Sequence, residues 1–168
     1  MTDQYDLSEE QPGDWWEVEG LLDLCFAPGR TFLSSYRLRD GVAPVKALCL
    51  VARDTYGILA GSIRYWPVTV GEKPVLLLGP VSVHPTRQGE GLGALLIQES
   101  LEKAIRLGWE RVLLVGDAPY YGRFGFTKLE GVEMPPPTNP DRILGYELVD
   151  GAWAGVEGTV TRWPTASA

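Results

Sequence analysis

The sequence predicts an α/β protein with a mixed, mostly antiparallel sheet flanked by helices. Three apolar segments of strand character follow one another between residues 46 and 85 with only short turns between them, and such strands pair antiparallel. A long amphipathic helix is predicted next, at about residues 91–107, and it leads to an apolar segment at 111–116. A strand reached through a crossover helix lies parallel to the strand before it. The sheet is therefore predicted to contain one parallel pair.

Taken in order, the elements begin with two helices that are predicted to precede any strand. Asp14 and Glu17 have the spacing of a capping box at the start of the first helix. A second, short helix is predicted for residues 31–39, before Gly41. Three antiparallel strands then follow in the segments 46–54, 58–70 and 74–85. In the third strand, Gly79-Pro80 interrupts the pattern and predicts a missing ladder bond, at a bulge or at a sheet edge.

The long helix is predicted to bury one face, formed by Ala94, Ile97, Leu101, Ala104 and Ile105. After the parallel strand we expect a short helix near residues 118–126, a weak strand near Thr127 and a last strand at 142–149. The tail shows no clear periodicity. All 168 residues are most simply one domain, with a core at about 13–149 and a C-terminal extension at 150–168.

The composition of the chain limits the classes of molecule that it could bind. The formal net charge of −7 provides no basic stripe for nucleic acid and favours a cationic or amine-bearing partner. No apolar run is long enough for a membrane span, and the acidic N-terminus is unlike a secretory signal, so we expect a cytoplasmic protein without a membrane partner. One histidine and two isolated cysteines give no expected metal site.

The segment that joins the third strand to the long helix is Gln88-Gly89-Glu90-Gly91-Leu92-Gly93. Glycines let the backbone approach a ligand, and the free amides at a helix start bind anions. A P-loop would need a Lys-Ser/Thr pair where Ala94-Leu95 stands. Gly89, Gly91 and Ala94 match a dinucleotide fingerprint, but that motif belongs at the first of repeated β-α-β units. An NADH-dependent dehydrogenase therefore remains only the last alternative.

With Val81-x-Val83-x-Pro85 before it, this Q-x-x-G-x-G loop resembles the acetyl-CoA pyrophosphate loop of the GNAT superfamily of N-acetyltransferases. A second motif, Y-x-x-x-G-F at residues 121–126, is similar to the motif that this family carries one strand downstream. The resemblance in element order covers about residues 13–149. It implies the GNAT fold, in which the two parallel strands splay apart and the pantetheine of acetyl-CoA lies in the gap.

The resemblance also implies roles for individual residues. Tyr121 would be the general acid that protonates the departing thiolate, because a phenol is protonated at neutral pH. The main chain of Val83 would bond the thioester carbonyl, and Arg87 would add positive charge beside the pyrophosphate. The implied cofactor-binding set is Val81, Val83, Arg87, Gln88, Gly89, Glu90, Gly91, Leu92, Gly93, Ala94 and Tyr121.

The acceptor side is less defined. Many family members carry a glutamate as general base on the strand before the loop, where this chain offers only Ser82 and His84. Proton removal through water, or a neutral amine, would need no base. Trp66, Trp15 and Trp16 are on elements that border the acceptor cleft in this family. The implied function is acetyl transfer from acetyl-CoA to a primary amine of a small molecule or peptide, by direct attack in a ternary complex.

Two questions stay open at this stage. The missing strand glutamate keeps a CoA-binding sensor with little catalysis as the alternative function. The dimers that are frequent in the family leave a homodimer open as the oligomeric state.

Overall fold

The computed structural model describes residues 4–26 and 34–164. Within these residues the strands are β1 (Asp6–Glu9), β2 (Leu50–Arg53), β3 (Leu59–Val70), β4 (Lys73–Val83), β5 (Arg111–Val115), β6 (Thr127–Lys128), β7 (Val132–Glu133), β8 (Ile143–Glu147) and β9 (Gly158–Arg162). The α-helices are α1 (Trp15–Cys25), α2 (Ser34–Arg37), α3 (Leu92–Arg106) and α4 (Ala118–Gly122). No helix in the described ranges has the length and apolar character needed to cross a bilayer.

The sheet runs in the order β1-β2-β3-β4-β5-β8-β6, and β9 pairs with β3 while β7 pairs with β9. The pairs β2·β3 and β3·β4 are antiparallel, and β4·β5 is parallel. This confirms the mixed, mostly antiparallel sheet with the predicted parallel pair. Strands β7 and β9 form a second, short parallel pair that the sequence did not predict.

The parallel pair is short, and its end creates the site. Leu76 and Leu77 of β4 pair with Val112 and Leu113 of β5. The β3·β4 register shifts where Tyr65 opposes Leu78 and Ile63 opposes Val81. The shift falls at Gly79-Pro80, where the sequence predicted a bulge or a sheet edge; it is a bulge, because β4 lies between β3 and β5. Beyond Leu77 the two parallel strands no longer pair, so a gap opens between them.

Helix α3 covers one face of the sheet. Its buried residues are Leu92, Leu96, Ile97, Ser100, Leu101 and Ala104. The apolar ones pack in one core cluster with Ile63 and Tyr65 of β3, and the Ser100 hydroxyl lies 2.7 Å from that of Tyr65. The prediction that Ile105 belongs to the buried face was wrong, because its side chain is 48% exposed. Successive helical residues are offset by about 100°, which carries Ile105 past the edge of the buried stripe.

The N-terminal prediction also needs correction, because β1 precedes both helices and pairs antiparallel with β2. This edge strand has a mostly exposed, polar sequence, so it lacks the apolar alternation that marks a strand. Asp14 and Glu17 do not form the predicted capping box. Asp14 accepts a hydrogen bond from the Gln11 amide at 2.8 Å, and both carboxylates bind Arg53.

Three further features differ from the sequence prediction or extend beyond it. Residues 46–48 form a 3-10 turn before β2 begins at Leu50. The described part of the second helix is Ser34–Arg37, and the predicted start at residues 31–33 lies outside the described residues. The extension contains β9, which pairs with β3 and β7. Val160 is the buried residue of β9, so a single apolar position marked this strand in the sequence.

Candidate active site

A cleft of about 650 Å³ opens where β4 and β5 separate and where α3 begins. Its lining residues are Cys25, Phe26, Val81, Ser82, Val83, Arg87, Gln88, Gly89, Gly91, Leu92, Gly93, Ala94, Tyr120, Tyr121 and Arg123. The structure therefore brings the loop, the end of β4 and the tyrosine helix to one place. Of the implied cofactor-binding residues, Glu90 is the one that does not line the cleft.

The glycine loop has the backbone geometry of an anion cradle. Gly89 and Gly91 have φ angles of +86° and +82°, a region that other residues rarely adopt. A Cβ built on either glycine meets no atom within 4 Å, so the backbone is open to a ligand. Gly91 is the N-cap of the 15-residue helix α3, whose first amides have no partner within the helix. These features fit the pyrophosphate of acetyl-CoA.

The main chain at the end of β4 faces the cleft. The His84 amide donates to the Ala60 carbonyl of the neighbouring chain segment at 2.8 Å. Main-chain groups alternate in direction along a strand, so those of Val83 point away from β3. The Cys25 thiol confirms this direction, because it donates to the Val83 carbonyl at 3.3 Å. Val81, two residues earlier, has the same orientation, so both residues offer main-chain bonds to a pantetheine arm.

Arg87 is fixed beside the loop by other protein groups. Its guanidinium donates to the Asp54 carboxylate at 2.5 Å and to the Tyr5 hydroxyl at 3.1 Å. Tyr5 in turn donates to the Glu90 carboxylate. Hydrogen bonds from the Ile58 and Tyr56 amides and from Arg87 hold the pKa of Asp54 below its usual range. The network explains why the Glu90 side chain turns away from the cleft and anchors the loop.

Tyr121 reaches the cleft from helix α4. Asp117 is the N-cap of this helix and accepts a hydrogen bond from the Tyr120 amide at 3.0 Å. The Tyr121 ring packs edge-on against Phe126 at 5.9 Å. Burial raises the pKa of Tyr121 to about 12. The phenol is therefore fully protonated at neutral pH and available as a proton donor.

Gly116, which follows β5, makes room for this ring. A Cβ at Gly116 would lie 2.6 Å from the Tyr121 ring. Any side chain at this position would therefore displace the ring. The absence of a side chain at Gly116 therefore seats the tyrosine where the two parallel strands separate.

Sequence reasoning missed four of the lining residues. The Tyr120 hydroxyl lies 2.9 Å from where a Cβ on Gly93 would stand, directly beside the loop. Arg123 places its guanidinium 5.0 Å from the Tyr120 ring and adds positive charge to the cleft. Cys25 and Phe26 come from the end of α1. No local pattern identifies these residues, because tertiary packing brings them to the site.

A second, smaller pocket of about 200 Å³ lies on the other side of the gap. Its lining residues are Phe26, Ser35, Tyr36, Arg39, Leu77, Leu78, Gly79, Pro80, Val81, Leu114, Val115 and Tyr121. Phe26, Val81 and Tyr121 line both cavities, so the two meet at these side chains. None of the described residues that line the smaller pocket is a carboxylate or a histidine.

Neither residue considered as a base faces this pocket. Ser82 is buried, and its hydroxyl lies 2.7 Å from the hydroxyl of Ser62. His84 lies outside both cavities, and its Nδ1 is 2.8 Å from the Thr86 hydroxyl and 3.2 Å from the Thr86 amide. The structure therefore assigns these side chains to local hydrogen bonds and does not favour the base role for either.

The three tryptophans proposed for the acceptor lie apart from the reaction centre. Trp66 donates from Nε1 to the Val42 carbonyl at 3.1 Å, and its ring carries the Arg39 guanidinium at 4.3 Å. Trp15 and Trp66 line a separate pocket beside β1. Trp16 is 80% exposed. Trp66 does not line the smaller pocket, but it contacts Arg39, which does.

Comparison with known proteins agrees with the site. Residues 15–126 match the family model of the Acetyltransferase (GNAT) family. An uncharacterized N-acetyltransferase of Escherichia coli (strain K12), YhbS, is 31% identical over 117 residues, which are 67% of this chain and 70% of the relative. The crystal structure of Escherichia coli YhbS in complex with CoA matches with a TM-score of 0.82 at 27% identity, over 95% of this chain and 90% of that chain.

A GNAT family acetyltransferase from Brucella melitensis, crystallised in complex with acetyl-CoA, matches with a TM-score of 0.71 at 28% identity, over 96% of this chain and 97% of that chain. The family match covers more than half of the chain and includes both the glycine loop and the tyrosine motif. A dehydrogenase is excluded by this match. The chain belongs to the GNAT family of acetyltransferases, and it is an acyltransferase that takes acetyl-CoA as its donor.

Proposed function

We propose that the protein transfers the acetyl group of acetyl-CoA to the primary amine of a small molecule or peptide, by direct attack in a ternary complex. The observation that carries the proposal is the meeting of the two cavities at Val81 and Tyr121. A donor in the larger cleft and an acceptor in the smaller pocket would have their reacting ends at the same point. Such positioning supplies much of the catalysis in a two-substrate reaction.

Residues of this chain would hold the donor from both ends. The open amides from Gln88 to Ala94 bind the pyrophosphate, and Arg123 adds positive charge. The main chain of Val81 bonds the pantetheine. The Val83 amide donates to the thioester carbonyl, which stabilises the negative charge that develops on its oxygen as the amine attacks. Acetyl-CoA itself supplies the acetyl group and the thiol leaving group.

Tyr121 would complete the reaction on the sulfur side. As the amine nitrogen bonds to the acetyl carbon, the carbon–sulfur bond breaks and the thiolate accepts the phenolic proton. The amine proton passes to water, because the described pocket offers no carboxylate or histidine. The phenol is then reprotonated from solvent. The chemistry therefore requires an acceptor amine that arrives neutral.

No observation on the described residues favours the CoA-binding sensor. An acceptor amine that arrives neutral needs no base, which explains why the strand before the loop carries no carboxylate. His84 and Ser82 stay weak predictions for a base, and Trp66, Trp15 and Trp16 stay predictions for acceptor binding. A cytoplasmic location and a homodimer likewise remain predictions.

The proposal is tested by measuring CoA release from acetyl-CoA with a panel of primary amines. We expect at least one amine to stimulate release, and Tyr121→Phe to lower kcat about 100-fold while the Kd for acetyl-CoA changes little. Tyr56→Phe is the matched control, because Tyr56 is 87% exposed and lines neither cavity.

Tyr120→Phe separates the two neighbouring tyrosines. If this variant loses kcat and Tyr121→Phe keeps it, the acid is misassigned. If no amine stimulates CoA release although acetyl-CoA binds, the transferase proposal fails.

A further inference from the structure

The smaller pocket contains two buried polar groups that lack partners. Among the described residues, the Tyr36 hydroxyl and the Arg39 Nε are buried without a hydrogen-bond partner. Both residues line the pocket, and both groups can donate. Buried donors are rarely left unpaired in proteins because doing so is destabilising. A pocket that leaves two of them unpaired is typical of a site whose ligand supplies the acceptor atoms.

The Arg39 guanidinium is held in a fixed orientation. Its Cζ lies 3.7 Å from the centroid of the Tyr36 ring and 4.3 Å from that of Trp66, so the guanidinium stacks on both rings. Its Nη2 donates to the Gly79 carbonyl at 3.1 Å. Such stacking preorganises a planar cation, and less conformational entropy is then lost when a ligand binds.

Among the described residues no carboxylate forms an ion pair with Arg39, although Glu19 attracts its charge from a greater distance. The ion pairs of the described residues do not include Arg39, and the neighbouring Arg64 binds both Glu10 and Glu19. Burial lowers the pKa of Arg39, but a guanidinium stays charged at neutral pH. A buried charge without an ion-pair partner is unfavourable, so the site favours an anionic ligand. Among anions, a carboxylate matches the planar fork of donors.

The cation is close to the reaction centre. Gly79, which holds Nη2, precedes Val81 by two residues on β4, or about 7 Å along the strand. Val81 and Tyr121 line the same pocket of about 200 Å³. A ligand that places a carboxylate at Arg39 and an amine at Tyr121 is therefore a small molecule with a few atoms between the two groups.

We propose that the acceptor is a small amino acid whose carboxylate pairs with Arg39 and accepts a hydrogen bond from Tyr36. The inference rests on the proposed function, because it places the amine end of this molecule at the transferase centre. The negative charge of the whole chain gives no hint of this preference, because the charge that selects the acceptor is a single buried cation.

The turnover test compares α-, β- and γ-amino acids with the carboxamide of each, by CoA release from acetyl-CoA. In the native protein, kcat/KM for at least one amino acid should exceed that for its carboxamide by about 10- to 100-fold, as expected for a hydrogen bond to a charged group. Arg39→Gln should remove this preference, and Arg39→Lys should keep part of it. Arg37→Gln is the control, because the exposed Arg37, two residues earlier in the chain, donates to the Pro136 carbonyl outside the pocket.

Equal turnover of carboxylates and carboxamides by the native protein, or a preference that survives in Arg39→Gln, would overturn the inference while leaving the transferase intact. A binding test covers the case in which no amine is acetylated. N-acetyl derivatives of the same amino acids and carboxamides are titrated calorimetrically into the protein with CoA present. Carboxylate-dependent binding that Arg39→Gln abolishes supports the pocket without turnover. Absence of carboxylate binding, or binding that Arg39→Gln retains, refutes it.

Discussion

At the scale of single residues, the protonation states at the site set the pH dependence. Burial raises the pKa of Tyr121 to about 12 from an ordinary value of 10.0. A raised folded-state pKa keeps the phenol protonated through the whole range in which most enzymes are assayed. The acceptor amine has the opposite requirement, because it attacks only when neutral.

We therefore expect kcat/KM for the amine to rise with pH until the amine is deprotonated. Between pH 7 and pH 10 no falling limb from Tyr121 should appear, because its pKa lies near 12. The measurement is a pH profile of initial rates with one amine at saturating acetyl-CoA, with stability monitored at each pH. A falling limb below pH 10 that Tyr121→Phe removes would show that the phenol titrates normally.

The sequence predicted best the residues that belong to a local motif. Gly89 and Gly91 have positive φ angles, and Tyr121 stands at a fixed spacing before Gly125 and Phe126, so both motifs are visible in the chain. Arg39 could not be found in this way. Its role depends on two aromatic rings and a bulged strand that only the tertiary structure brings together.

At the scale of elements, Arg64 of β3 ties the N-terminal segments to the sheet. Its guanidinium donates two hydrogen bonds to Glu10, both at 2.9 Å, and one to Glu19 of α1 at 2.6 Å. The sequence could not show this link. Strand β1 is too short and polar to be recognised, and the two glutamates are more than 40 residues from Arg64 in the chain. The α1 segment that lines the cleft is thus positioned by a buried charge network.

Arg64→Met should destabilise the fold by about 3 kcal/mol, because it leaves a mostly buried Glu10 carboxylate without its partner. In a protein of this size, the melting temperature should fall by about 6–12 °C. The control is Lys128→Ala, which removes an ion pair whose side chains are 45% and 77% exposed and should cost at most about 0.5 kcal/mol. Similar melting temperatures for the two variants would contradict the network's role.

At the scale of the whole molecule, the C-terminal extension is part of the sheet. Strand β9 pairs with β3 through Val160, opposite Val70, and Arg111 donates from Nε to the Ala152 carbonyl at 2.6 Å. The sequence predicted the family-like elements at 13–149 but showed no strand pattern in the extension. Because β9 has only one buried side chain, its strand conformation depends on its pairing with β3 and β7.

Val160→Ala should therefore destabilise the entire fold by about 2 kcal/mol, since Val160 is 1% exposed. Thermal unfolding should remain one cooperative transition at a lower temperature. Val149→Ala is the control, because Val149 is 51% exposed and its truncation should change stability by at most about 0.5 kcal/mol. If the main transition of Val160→Ala is unchanged, the extension is energetically separate.

The account depends most on the glycine loop as the site that binds the pyrophosphate of acetyl-CoA. Gly91→Glu forces a side chain into a positive-φ position and adds a negative charge at the start of α3, so two effects oppose the anion. Gly108→Glu is matched, because Gly108 follows the other end of α3 with φ +92° and open space around its Cα.

The decisive measurement is a calorimetric titration of acetyl-CoA into the native protein and both variants. We expect clear binding to the native protein, a Kd for Gly91→Glu that is at least about 10-fold weaker, and a native Kd for Gly108→Glu at a temperature where all three are folded. Failure of the native protein to bind acetyl-CoA, or equal affinity in Gly91→Glu, would contradict the account.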